Sequence, residues 1–341
     1  MTRDDTGPDG RAPHADGWAA RTRRALLSRA PVRRVAERVC GTLHEGTLVW
    51  ERDWDVLCVL DACRVDALRA AATDRAYLPD PGTAAFGTIW SVGSQSAEWM
   101  DRTFAPTHRA EMADTAYVTG NPFTDKSPEW MDPVAGRALP LDAADFALLY
   151  EAWRDQWIHA DISTIPPRPL TDAAIDVWRR REAFGADRLI VHYMQPHAPF
   201  RSRPEWFYGD ADLEGWGAIS GEDGVGEGLW AKLRDGTHSA EAFWAAYRDN
   251  LEWVLDDVAL LVENCDADVV LTADHGNGHG EWGVWSHPPG VSLPPLRRVP
   301  WVEVEGRDRR TRDPGPVEIP EGREIDATVE VEQRLADLGY T

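Results

Sequence analysis

Three apolar runs of strand length stand out along the chain: "DVLCVL" (55–60), "DRLIVHYMQ" (187–195) and "ADVVLTADHG" (267–276). Their centres are continuously apolar rather than alternating, as suits strands buried on both faces. After the first run the period lengthens, with Ala67, Leu68 and Ala71 at helical spacing. Between the second and third runs lies the longest helical pattern, residues 239–265, with Phe243, Tyr247, Leu251, Val254, Leu255 and Val258 on one stripe. Strands alternating with helices predict an α/β fold with a mostly parallel central sheet and helices on both faces. In such sheets functional residues gather at the carboxyl ends of the strands.

The remaining chain is less periodic. Residues 103–170 are rich in Pro, Asp and Trp, and residues 201–240 carry seven glycines between 209 and 228. Both are expected to be loop insertions over the top of the sheet. Residues 1–20 lack any apolar run and are expected to form a flexible tail. A basic helical lead-in follows over 21–50, and a single catalytic domain over 51–341. The stretch 21–39 is suited to peripheral contact with an anionic membrane or a partner, although a solvated helix packed on the domain is the plainer reading.

Composition narrows the function. The net charge of −22, from 36 Lys+Arg against 58 Asp+Glu, argues against a nucleic-acid partner, because phosphate backbones would be repelled. Cys40, Cys58, Cys63 and Cys265 form no CxxC pair. They are expected to be free thiols without a catalytic part, in a reducing, cytoplasmic setting. No segment has the apolar length of a membrane span, and the first residues do not read as a signal peptide.

The chemistry concentrates just past the three strands. Asp61 ends the first, His192 and His197 follow in "VHYMQPHAPF", and "TADHGNGHGEWGVWSH" supplies Asp274, His275 and His287. Mixed carboxylate and imidazole donors suit one or two ions of zinc or manganese with an open position for substrate. Arg64 is more simply the start of a helix, though it could reach a phosphate. Asn121, in "VTGNPF", could contact substrate.

In these motifs the sequence resembles the alkaline phosphatase superfamily, in the sulfatase-like branch of phosphoethanolamine transferases and lipoteichoic acid synthases. The resemblance runs from about residue 53 to 305. It implies that Asp61, Asp274 and His275 bind a first metal, and that His287, thirteen residues after Asp274, holds a second metal with His197 or grips the phosphoryl oxygens. His192 and His197 keep the five-residue spacing of the family's histidine pair; His192 is expected to support a ligand or to contact substrate rather than to bind metal, and His197 to be a ligand. The transferases place a nucleophile after a Gly and a hydroxyl residue, and "GSQSA" (93–97) puts Ser96 there, with Ser94 as the alternative and Ser91 weaker. A serine at a helix N-terminus would meet a phosphate among backbone N–H groups. The implied reaction is metal-dependent hydrolysis or transfer of phosphate mono- or diesters through a phosphoserine. Its substrate would be a small molecule or a glycan or lipid phosphoester. The alternatives are a sulfatase-like sulfuric ester hydrolase and a non-catalytic relative that binds a phosphorylated glycan or a partner protein. No C-x-P-S-R or S-x-P-S-R string occurs, which disfavours the sulfatase.

Overall fold

The computed structural model describes residues 30–125, 141–158, 162–208 and 228–318. The tail expected over 1–20 lies outside these residues. Strands β1 (Val56–Leu60), β2 (Phe86–Trp90), β3 (Thr115–Thr119), β4 (Leu148–Glu151), β5 (Arg188–Tyr193) and β6 (Asp268–Thr272) join a sheet of seven with β9 (Arg298–Glu305). The short β7 (Gly278–His279) and β8 (Trp285–Ser286) form a separate ribbon. The order across the large sheet is β2-β9-β6-β1-β5-β3-β4. Strands β6, β1, β5, β3 and β4 pair in parallel, while β9 runs antiparallel between β6 and β2. This is the mostly parallel α/β sheet, flanked by helices, that the apolar runs predict.

All five residues of β1 are buried, consistent with its place between β6 and β5. Helix Ala240–Val262 buries the whole predicted stripe from Phe243 to Val258. It packs beside helix Pro167–Arg179, which lies over β5 and β3. One hydrophobic cluster runs through the sheet. A satellite of Val284, Leu293 and Leu296 lies beneath Ala36 of helix Ala30–Leu43.

The expectation of loops over 103–170 needs correction. That segment supplies β3 and β4, and β3 is buried at every position between β5 and β4. Of the second expected insertion, 209–227 lies outside the described residues, and its flanks form helices Glu205–Tyr208 and Leu229–Asp235.

Register decides where the chemistry collects. Leu60 pairs with Tyr193 and Val59 with Thr272, so β1, β5 and β6 end together. Thr119 of β3 lies beside His192. Strand β2 reaches the same edge, with Trp90 opposite Arg298, and the chain then crosses to helix Ser96–Thr103.

Candidate active site

Asp61 leaves β1 with its N–H donating to Tyr193 O at 3.1 Å. The turn after it is held from two directions. Ala62, in the left-handed region at φ 61°, donates its N–H to Asp274 Oδ1 at 3.1 Å. The Tyr247 hydroxyl donates to Ala62 O at 2.7 Å and accepts from Arg64 N at 2.9 Å. Asp274 Oδ1 also accepts from His275 N at 2.8 Å, which commits that oxygen to the backbone and leaves Oδ2 facing the histidines. In the same way Asn121 Nδ2 donates to Asp61 Oδ2 at 3.1 Å, leaving Oδ1 turned inward. His275 Nδ1 faces Gly276 O at 2.7 Å, so Nε2 points at the carboxylates.

The result is a compact set of donors. His275 Nε2 lies 3.4 Å from Asp61 Oδ1 and 3.5 Å from Asp274 Oδ2. All three side chains are fully buried, and the three donor atoms lie within 4.8 Å of one another. Asp61 Oδ1 and Asp274 Oδ2 accept no hydrogen bond. A buried carboxylate oxygen in that condition is costly unless a cation satisfies it. Donors held at about 2.0–2.1 Å by a tetrahedral ion sit about 3.3 Å from each other, close to the separations found here. The donor set therefore fits a borderline divalent metal.

The electrostatics agree. Burial opposes the charged form of His275, but the Asp274 and Asp61 carboxylates outweigh it and raise its pKa to about 9. Burial likewise opposes ionisation of Asp274, yet His275, His192 and Ser96 hold it well below the usual carboxylate range. The pocket therefore favours positive charge at its centre.

Ser96 opens helix Ser96–Thr103. Its hydroxyl donates to Asp61 Oδ2 at 3.3 Å and lies 3.4 Å from His275 Nε2. Gly93 explains how the preceding loop turns so tightly onto this helix. A Cβ at that position would lie 2.5 Å from Trp99 N. Gly276 answers the same need on the other wall, where a Cβ would come 2.2 Å from Pro295 O. The other two serines are engaged elsewhere. Ser94 Oγ contacts Glu98 Oε2 at 2.9 Å and Pro288 O at 3.0 Å, and Ser91 Oγ donates to Asp274 O.

His287 joins the site from the segment after β8. Its ring is 4.6 Å from that of His275 and 5.0 Å from that of His197. Burial first, then the nearby His275 and His197, lower its pKa well below the ordinary value. His197 Nδ1 faces Ala198 O at 2.6 Å.

His192 takes the supporting place that was one of its two expected roles, and Arg64 and Asn121 are committed to protein partners. His192 is fully buried behind Asp274, with Nδ1 at 2.9 Å from the Tyr117 hydroxyl and Nε2 at 3.7 Å from Asp274 Oδ2. Arg64 is committed to Asp66, Glu281 and Asn277 O, so its guanidinium is not turned to a phosphate. Asn121 holds Asp61 with its amide nitrogen and accepts from Phe123 N with its oxygen at 3.0 Å.

Two positioning residues were not assigned from sequence. Asn250 donates from Nδ2 to His197 O at 3.0 Å and Pro199 O at 2.9 Å, fixing the His197 turn. Glu98 accepts from Ser94 N at 2.9 Å and Gly290 N at 2.6 Å, tying the Ser96 helix to the segment after His287. Asn250 had a signal: a polar side chain one turn past Tyr247 on a buried apolar stripe. Glu98 looks like an ordinary first-turn acid.

No family model matches the chain, and no curated protein matches it. Solved structures do show similarity. The soluble domain of lipooligosaccharide phosphoethanolamine transferase A from Neisseria meningitidis is 13% identical, with a TM-score of 0.42 covering 74% of this chain and 76% of that one. Of the integral membrane form of that protein the chain spans 47%. The C-terminal periplasmic domain of EcEptC from Escherichia coli, in complex with zinc, is 11% identical at a TM-score of 0.43, covering 78% and 76%. A 2-O GAG sulfatase is 11% identical at 0.37, covering 78% and 66%. The cytoplasmic expectation is withdrawn: EcEptC and its Campylobacter jejuni counterpart are represented by periplasmic domains, and four unpaired cysteines do not fix a compartment. No helix among the described residues is long and apolar enough to cross a membrane. Phosphoethanolamine transferases are also among the proteins that the sequence motifs resemble, whereas the sulfatase nucleophile string is absent.

Proposed function

We propose that the chain is a metal-dependent phosphoesterase or phosphotransferase with Ser96 as nucleophile, acting on a phosphate mono- or diester of a small molecule, glycan or lipid. The observation that carries this reading is the Ser96 hydroxyl at a helix start, within 3.4 Å of both Asp61 and His275. Asp61, Asp274 and His275 would hold zinc or manganese, with Ser96 beside them. The bound ion would lower the serine pKa and offset charge on the transferring phosphoryl group. In this reading one catalytic domain begins near residue 51.

Ser96 Oγ attacks phosphorus, forming the Oγ–P bond as the bond to the leaving oxygen breaks. Its proton has a carboxylate to leave toward, since Oγ donates to Asp61 Oδ2. Backbone N–H groups of the helix's first turn favour the anionic group. His287 would approach a phosphoryl oxygen from the same side, and His197 stands beside it. Asn121 and Tyr247 keep Asp61 aimed while water or an acceptor hydroxyl resolves the phosphoserine.

The test combines metal analysis with turnover of nitrophenyl phosphate, bis-nitrophenyl phosphate and nitrophenyl sulfate, with and without chelator. Trapped enzyme is then mapped by peptide mass. Chelator-sensitive phosphate turnover with phosphate on Ser96 is expected. Preferred sulfate turnover would move the chain to the sulfatase reading, and tight binding of a phosphorylated glycan without turnover to a non-catalytic one. Label on another residue would remove Ser96 as nucleophile.

A further inference from the structure

Helix Ala30–Leu43 is the lead-in that the catalytic reading does not use. One side is committed to the body of the protein. Ala36 packs on the cluster of Val284, Leu293 and Leu296, Gly41 lies against Ser292, and just beyond the helix His44 stacks on Trp90 at 4.0 Å. The other side carries Val32, Val35, Val39 and Leu43, which are 37%, 64%, 49% and 70% exposed. Among the described residues only one other large apolar side chain, Ile158, is comparably exposed. Spacings of three, four and four place the four side chains on one stripe, and Arg34 and Arg38 flank it.

Charge makes the stripe more specific. From 21 to 39 the sequence holds Arg21, Arg23, Arg24, Arg29, Arg33, Arg34 and Arg38 against Glu37, in a chain of net charge −22. We propose that this helix is a docking surface for an anionic lipid bilayer, with the valine stripe at the headgroup–acyl boundary and the exposed Arg34 and Arg38 among the lipid phosphates. An apolar stripe with basic flanks matches the layered polarity of such a surface in one plane. A second copy of the helix would instead set arginine against arginine. The acidity of the rest of the chain does not prevent docking, because at physiological salt charge is screened over about 8 Å, so the bilayer responds to the face turned toward it. The helix rests on the 284–296 segment that also carries His287, so docking would hold one wall of the site near the membrane plane.

Flotation of the full chain with phosphatidylcholine vesicles, with and without phosphatidylglycerol, tests this. Binding is expected only with the anionic lipid and is expected to fall as salt rises. Arg34→Gln and Arg38→Gln are each expected to weaken partitioning about fivefold, and the pair Val35→Asp with Val39→Asp by at least about tenfold. All four side chains are surface-exposed, so unchanged melting curves are expected. Equal binding to neutral vesicles, no binding to either, or variants that bind normally would each overturn the proposal. So would valine variants that shift the oligomeric state in sedimentation while leaving vesicle binding intact, which would assign the stripe to a protein contact.

Discussion

Two acidic clusters lie within a few residues of each other in the sequence, and they are neutralised in different ways. In the first, Asp66 and Glu281 share Arg64: its Nη2 is 2.7 Å from Asp66 Oδ2 and 2.9 Å from Glu281 Oε1. Nη1 donates to Asn277 O at 2.6 Å, and the guanidinium lies over the Trp244 ring. Burial opposes ionisation of both acids, but Arg64 prevails and lowers both pKa values. In the second cluster, Asp61 and Asp274 pair with no Lys or Arg among the described residues. Each keeps an oxygen that accepts no hydrogen bond, with a histidine between them. A cluster closed by guanidinium fixes the fold. One that leaves buried carboxylate oxygens around a histidine, with no guanidinium, fits a bound cation.

The contrast is broken most severely at Asp274. Asp274→Asn removes a carboxylate charge while keeping the side chain's size, and it is expected to lower bound metal and cut turnover by several orders of magnitude, as loss of a group acting in a unit does. Normal metal content in this variant would make the second cluster merely structural. Asn121→Ala probes the same cluster one layer out. It frees Asp61 Oδ2 from its amide donor and is expected to weaken metal affinity about 10- to 100-fold, the usual cost of losing an orienting partner. Titration with zinc against a competing chelator reads this directly.

The first cluster should respond in stability rather than in chemistry. Arg64→Met leaves Asp66 and Glu281 without their cation. Both acids are partly exposed, so water screens them and the loss is expected to be about 1–2 kcal/mol. Denaturant unfolding at neutral pH measures it. Metal stoichiometry should stay at the wild-type value; a fall in bound metal to the level of Asp274→Asn would show that the two clusters work as one.

The sheet's centre was legible because β1, β5 and β6 are buried on both faces and therefore continuously apolar. Its flanks were not. In β9, Pro300 and the outward Glu303 and Glu305 give the pattern of an edge or loop, although the strand is paired on both sides. "TAYVT" of β3 is short and capped by threonines, and helix Pro167–Arg179 begins with two prolines that read as loop. The site divides the same way. Asp274 and His275 are neighbours in sequence, and Asp61, Ser96 and His287 stand at fixed offsets within motifs. The roles of Asn121 and Tyr247 depend on contacts spanning 60 and 185 residues, which only register across the sheet determines. Arg64 was ambiguous because a helix-start arginine and a phosphate-binding arginine have the same local sequence. Only its paired acids distinguish them.

The smallest expected effect is at Ser94, two residues from the proposed nucleophile. Its hydroxyl contacts Glu98 Oε2 and Pro288 O, both outside the donor set. Ser94→Ala removes these contacts, yet the backbone N–H of residue 94 still donates to Glu98, and Glu98 still accepts from Gly290 N. The loss is therefore expected to be about 1 kcal/mol of stability, the usual contribution of a hydrogen bond of this kind. Turnover should fall less than about tenfold, a barrier change under about 1.4 kcal/mol. Ser96→Ala, by contrast, should leave no phosphoserine. A melting curve and a nitrophenyl phosphate assay on the two variants side by side separate the roles. Equal loss of turnover at both serines, with metal retained, would mean that Ser94 also reaches the reacting phosphate and that the division between nucleophile and support is drawn in the wrong place.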